Sequence, residues 1–302
     1  MDCYYSTLPG ETLVEISGPD TLTFLQGQTS CDTRELDGSR ALTGVYCTPQ
    51  GRTVCDFLLL ELGEHHCGLR LRADIADTSA QVLGKYIIFS KADIHPAPSP
   101  WQVAACWGEG ARDAVTAVMG TAPGERLGAC RSGNMLAVQV DDAGEAFELF
   151  YEGDPPSIAA QHGEEEAWRS LAIARGEARI EAATSGELIP QVLNYDLTGH
   201  ISFTKGCYTG QEVVARLHYR GKTKRRAFIA QCPTDAAAVV GMPLFTAGRE
   251  QASGEVINIA TPGAGPTHLL VSAVVEAPES GLRLGAPDGP ALQLTPPPYP
   301  LD

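Results

Sequence analysis

The pattern of apolar and polar positions alternates between two periods along this chain. "TLVEISG" (12–18) alternates position by position, as a half-buried strand does. "GPDTLTFLQG" follows: Pro19 suits a first helical position, Leu22 shares a face with Phe24 or Leu25, and Gly27 marks a stop. "ALTGVYCTPQGRTVCDFLLLEL" (41–62) predicts two strands joined by a turn at Thr48-Pro49-Gln50-Gly51. Further on, a helix is expected near 76–84, then a strand near 86–94. "HPAPSP" (95–100) is a Pro-rich break of the kind that makes a linker. "WQVAACWG" predicts a strand, "EGARDAVTAVMG" a helix closed by Gly120, and "MLAVQV" and "AFELFYEG" two more strands. A helix is expected over 164–180, with Glu164 to Glu166 favouring its N-terminus.

After Arg226 the texture changes. "RAFIAQC", "PLFTAG", "ASGEVINIA", "HLLVSAVVEAP", "LRLGAP" and "ALQLTPP" are short strands separated by Gly and Pro, without a convincing helix. Strands at this spacing predict a small barrel or sandwich. The fold class is therefore α+β, with a separate all-β region at 226–302.

Composition narrows the function. At 302 residues the chain is long enough for two or three cores. A net charge of −15 argues against a dedicated nucleic-acid binder, though not against one local basic site. No run of 18 apolar residues exists, and the first residues lack the pattern of a signal peptide. The nine cysteines include no CxxC pair, which fits reduced thiols and a cytoplasmic location. "HHC" (65–67) is a poor metal site, because neighbouring positions on a strand face opposite ways. Neither GxGxxG after a strand nor GxxxxGK[ST] is present, so nucleotide cofactors gain no support.

The chemistry concentrates in "KGCYTGQEVVARLHYRGKTKRR" (205–226). Thr209 followed by Glu212 reads as a capping box, with Val213, Val214 and Leu217 as the buried stripe of the helix and Gly221 as its end. Cys207 then precedes a helix N-terminus, with Lys205 two residues before it. Both would favour a thiolate. The other role open to Cys207 is that of a small buried hydrophobe. Gly206 and Gly210 let the backbone approach a ligand or take positive φ. Arg216, Arg220, Lys222, Lys224, Arg225 and Arg226 fall within eleven residues without an Asp or Glu between them. A solvated helix end explains some of these cations. Six together suggest a polyanion site, for RNA or for a ligand tail carrying several carboxylates.

"GELIPQVLNYDLTGHISFTKGCYTGQEVVARLHYRGKTKRR" (186–226) resembles the signature of the YgfZ family of folate-binding proteins, paralogues of the glycine-cleavage aminomethyltransferase. "ISGPDTLTFLQGQTSCD" (16–32), "KYIIFSKADI" (85–94) and the terminal "LQLTPPPY" extend the resemblance over nearly the whole chain. It implies three lobes around a central channel: a folate-binding body of two α+β lobes over 1–225 and an antiparallel β-barrel over 226–302. It implies bound tetrahydrofolate or a one-carbon derivative, polyglutamylated in cells. It also implies support for the assembly or repair of iron–sulfur enzymes, including ones that modify tRNA, with folate, such clients or assembly proteins, and tRNA as the candidate partners. The motif cysteine, Cys207, would be the functional thiol, with Lys205 as its cationic partner. Trp168 matches a tryptophan thought to contact folate, while Gly206, Tyr208, Gly210, Gln211 and Glu212 belong to the motif expected at the ligand. A second folate tryptophan of the family, ahead of the first strand, has no match; Tyr4, Tyr5 and Glu11 are what this chain offers. Aminomethyltransferases carry two acidic residues in a strand that corresponds to "QGRTVCDFLLL". Here Cys55 replaces the first and Asp56 matches the second, which leaves open a folate-dependent one-carbon transferase. A tRNA-binding module using 216–226 is the third reading.

Overall fold

The computed structural model describes residues 2–95, 97–233, 237–246, 249–263 and 265–301. It divides into two compact units. The first comprises Met1–Gly44, Asp56–Glu165 and Thr204–Tyr208; the second comprises Val45–Cys55, Glu166–Phe203 and Thr209–Asp302.

The first unit holds two sheets. One has the order β11-β1-β7-β10-β9-β8, from β1 (Tyr4–Thr7), β7 (Trp101–Trp107), β8 (Ala129–Ser132), β9 (Met135–Gln139), β10 (Ala146–Glu152) and β11 (Gln161–His162). Helix α3 (Ala111–Met119) covers one of its faces, where Val115 and Met119 pack with Ala104, Ala137, Phe147 and Leu149. Gly120 ends that helix at φ 81°, as its position in the sequence requires. The other sheet runs β3-β4-β5-β2-β6, from β2 (Glu11–Ser17), β3 (Leu42–Cys47), β4 (Thr53–Gly63), β5 (His66–Arg72) and β6 (Asp93–His95). To this sheet the first unit contributes residues 42–44 and 56–63 of β3 and β4. β4 is buried over most of its length, which explains its nearly continuous apolar run.

Charges join the two sheets of this unit. Arg70 on β5 donates to Glu148 on β10 at 2.9 Å, and Arg72 donates to Glu11 at 3.3 Å and Glu165 at 3.4 Å. Arg70 and Glu148 are buried, so each charge depends on the other for its solvation.

Three sequence expectations change here. Helix α1 (Thr21–Gln28) runs through Gly27 rather than stopping there. The strand expected near 86–94 is reduced to its end: helix α2 (Ala76–Ile87) takes its first two residues, and only Asp93–His95 pairs with β2. Tyr86, Ile88 and Phe89 are exposed, so this apolar run is not the buried face of a strand. "HPAPSP" joins parts of one unit rather than two domains; its Pro96 lies outside the described residues.

The second unit holds a closed antiparallel barrel, in the order β12-β15-β14-β13-β16-β17. Its strands are β12 (Arg225–Cys232), β13 (Pro243–Thr246), β14 (Ala252–Ala260), β15 (Thr267–Val274), β16 (Leu282–Leu284) and β17 (Ala291–Thr295). Ala247 and Gly248, read as part of "PLFTAG", lie outside the described residues. Pairing of Ile229 with Thr295 and of Ala230 with Leu294 closes it. Phe228, Leu244, Val256, Leu269, Val271 and Leu282 fill the interior. A short helix that the sequence did not announce, α6 (Ala277–Ser280), follows β15.

Helix α4 is shorter than the 164–180 expected: it spans Glu165–Ala174, and Gly176 then takes φ 68°. A left-handed glycine just past the last turn is a usual way for a helix to stop. In the same unit Asn194, at φ 60°, donates to the Ala227 carbonyl at 2.9 Å and accepts from its N–H at 3.2 Å.

Candidate functional site

Lys205 is held by three backbone carbonyls. Its ammonium donates to the carbonyls of Gln26 at 2.7 Å, Thr29 at 2.6 Å and Cys31 at 2.8 Å. These carbonyls lie at and just beyond the C-terminus of α1, where acceptors are left without helical partners and a cation is favoured. The Tyr208 ring lies 5.3 Å from the same nitrogen. Burial lowers the Lys205 pKa to about 8. The surrounding loop is itself well tied. Thr29 bonds back to the Leu25 carbonyl at 2.8 Å, and Asp32 accepts from the Arg34 guanidinium, Nε at 2.8 Å. That contact holds the Asp32 carboxyl well below the usual carboxylate range.

The expected pairing of Lys205 with the Cys207 thiol therefore does not hold, because three protons already serve three carbonyls. What Lys205 does is hold the segment Thr204–Tyr208 against the end of α1. Cys207 is exposed on that segment; seven of the other eight cysteines are buried and Cys130 is partly so. Burial pushes the thiols of Cys47 and Cys67 up to about 12.

Helix α5 spans Gln211–Arg220, and its N-cap is Gly210 at φ 85°, without a side-chain cap. The capping box read from Thr209 and Glu212 is thus not formed. A Cβ on Gly210 would stand 2.5 Å from the Thr48 carbonyl, so only glycine fits the turn. Glu212 instead pairs with Arg216 across one helical turn at 2.5 Å, both exposed. Of the expected buried stripe, Val214 alone is buried; Val213 is exposed and Leu217 intermediate.

The six cations part company. Arg226 is buried and donates to Asp196 at 2.6 Å and to the Gln191 carbonyl at 3.0 Å, so it is no part of a surface polyanion site. Arg216 is held by Glu212. Arg225 is half-buried on β12. Arg220, Lys222 and Lys224 are exposed and have no ion-pair partner among the described residues. Lys222 and Lys224 line a cavity of about 870 Å³ with Leu197, Leu217, Val274 and Val275.

Trp168 sits on α4, buried, with the Arg175 guanidinium 5.4 Å over its ring. Arg175 is in turn held by Glu177 at 3.0 Å. Asp56 on β4 is 2% exposed. Among the described residues no cluster of His, Cys, Asp or Glu is placed to hold a metal ion. No described helix is long and apolar enough to cross a membrane.

No family model matches the sequence. The fold is that of a solved glycine cleavage system aminomethyltransferase T from Bartonella henselae: TM-score 0.74 over 97% of this chain and 85% of that one, at 14% identity. The tRNA-modifying protein YgfZ of Yersinia pestis (strain Pestoides F) is 31% identical over 223 residues, which are 72% of this chain and 67% of the relative. The chain belongs to the YgfZ family. The protein of the same name from Pectobacterium atrosepticum is also 31% identical, over 72% of this chain and 66% of its own.

In this YgfZ-family chain the expected site residues divide between the units. Asp56, Lys205, Gly206, Cys207 and Tyr208 belong to the first, and Trp168, Gly210, Gln211, Glu212 and the cations to the second. Tyr4 and Glu11 are already engaged: Tyr4 stacks on Trp107, with ring centroids 5.8 Å apart, and Glu11 faces Arg70 and Arg72, whereas the buried Tyr5 hydroxyl has no hydrogen-bond partner among the described residues and burial raises its pKa. Sequence reading missed an aromatic cluster. Phe203 and His218 stack at 3.7 Å with planes 14° apart, and Tyr219 meets His218 edge-on at 4.8 Å. The adjacent His218-Tyr219 pair, amid arginines and lysines, was its visible trace.

Proposed function

We propose that this protein is a cytoplasmic tetrahydrofolate-binding accessory factor that supports assembly or repair of iron–sulfur enzymes, tRNA-modifying ones among them. The observation that carries the reading is the fixed presentation of Cys207. Three bonds from Lys205 to backbone carbonyls anchor its segment, and it is the exposed cysteine in a chain whose other thiols are buried or, for Cys130, partly so. An accessible thiol on an anchored loop can react reversibly with an oxidant or a soft metal centre, which a buried thiol cannot. The aminomethyltransferase-like fold and the YgfZ relatives support folate as the ligand.

A buried carboxylate such as Asp56 accepts the paired N–H groups of an aminopterin ring. The Trp168 indole and the motif residues Gly206, Tyr208, Gly210, Gln211 and Glu212 are the other candidate folate contacts. Tetrahydrofolate would supply a one-carbon unit, or serve as a bound cofactor without turnover. Its tail in cells usually carries several γ-linked glutamates.

A one-carbon transferase is the second reading, favoured by Asp56: proton transfer at a folate nitrogen calls for an acid or base rather than a thiol. Complementation of a strain lacking its own family member separates the two. Loss of complementation with Cys207→Ser supports the accessory factor; full complementation with Cys207→Ser together with loss in Asp56→Asn supports the transferase.

A further inference from the structure

The cations left free on the second unit have aromatic neighbours, and carboxylates have no use for these. Tyr219 is 66% exposed and precedes Arg220; His218 is exposed, stacks on Phe203 and lines the adjoining cavity. Arg220, Lys222 and Lys224 follow within six residues, all exposed and without acidic partners among the described residues. The cavity of about 870 Å³ that Lys222 and Lys224 border has an apolar wall from Leu197, Leu217, Val274 and Val275, large enough for a planar ring. The acids nearest in the fold do not cancel the patch: Asp196 is already neutralised by Arg226, and Glu212 by Arg216. Glu276 remains on the cavity wall against three free cations.

We propose that this face of the second unit binds single-stranded RNA, with bases stacked on Tyr219 and His218 and the adjoining phosphates held by Arg220, Lys222 and Lys224. Rings and cations interleaved along one stretch of surface are how proteins hold single strands: the π-face accepts any base and the cations follow the backbone. A duplex offers no free base faces to such a surface. A net charge of −15 makes the field of the rest of the molecule repel RNA, so binding here must come from this local array. The proposal does not depend on folate binding.

The test is fluorescence anisotropy of the whole chain with a labelled 12-nucleotide single-stranded RNA of mixed sequence, from 50 to 200 mM salt. Saturable binding is expected, with a log K versus log salt slope near −2, about 0.7 for each of three phosphates. Tyr219→Ala and His218→Ala should each weaken it about tenfold with the slope unchanged. Lys222→Gln with Lys224→Gln should make the slope shallower by about 1.4. These side chains are exposed, so melting temperatures should stay near that of the native chain. Four results would overturn the proposal: no binding at 50 mM salt, indifference to both ring substitutions, equal affinity for a duplex of the same length, or equal competition by poly-γ-glutamate at matched charge. Titration with tetrahydrofolate, run separately, keeps the folate reading distinct.

Discussion

The Lys205 ammonium donates to the Thr29 carbonyl at 2.6 Å across 176 residues of sequence, and with two further carbonyls it uses all three of its protons. The motif lysine is an internal strut for the loop that carries Cys207, not a partner for the thiol.

Replacing the strut should loosen the loop. Lys205→Met leaves three carbonyls without their donor and should cost about 2–4 kcal/mol, since each buried acceptor loses its bond. Denaturant unfolding measures the cost. A value below about 0.5 kcal/mol would mean that the carbonyls find water at once.

The same residue gives a pH signature. Its folded pKa of about 8 lies below the ordinary lysine value of 10.5, so between these values the unfolded chain binds the extra proton. The burial penalty is present in full below pH 8 and is relieved as pH rises toward 10.5. The native chain should therefore gain stability relative to Lys205→Met over pH 8–10.5, by about 3 kcal/mol at 1.36 kcal/mol per unit. A flat difference across that window would show that the amine does not titrate there.

Cys207 should react with iodoacetamide at pH 7 before the other eight cysteines, because it is the exposed thiol. Cys207→Ser should abolish complementation while shifting the melting temperature by less than about 2 °C. Peptide mapping by mass spectrometry gives the order of labelling; first labelling at any other cysteine counts against its role.

The buried pair in the second unit predicts an asymmetry among the cations. Arg226→Ala strands Asp196 and should cost about 3–5 kcal/mol, whereas Lys222→Ala and Lys224→Ala should each stay within about 0.5 kcal/mol. Similar costs for all three would mean that Arg226 is no more committed than its neighbours.

Much of this was legible in the chain. Alternation and Gly/Pro spacing announced the barrel strands, and Gly120 and Gly221 marked their helix ends. The motif itself was misread where long-range contacts decide. The Gly210 turn is dictated by the Thr48 carbonyl, which no local rule for Thr209 and Glu212 can see. Six cations within eleven residues look alike in sequence, yet Arg226 turns inward because Asp196 and Gln191 wait there. Lys205 finds its acceptors on a loop about 175 residues away, beyond any spacing argument.

Trp168→Ala should weaken tetrahydrofolate binding about tenfold or more, from lost stacking. Unchanged affinity with the fold intact would leave Trp168 a core residue stacked by Arg175.

Calorimetric titration of the native chain with tetrahydrofolate under reducing, anaerobic conditions tests the central claim. One saturable site per chain is predicted, with a dissociation constant of roughly 1–100 µM. No saturable heat at 1 mM ligand, together with no shift in melting temperature, would contradict it.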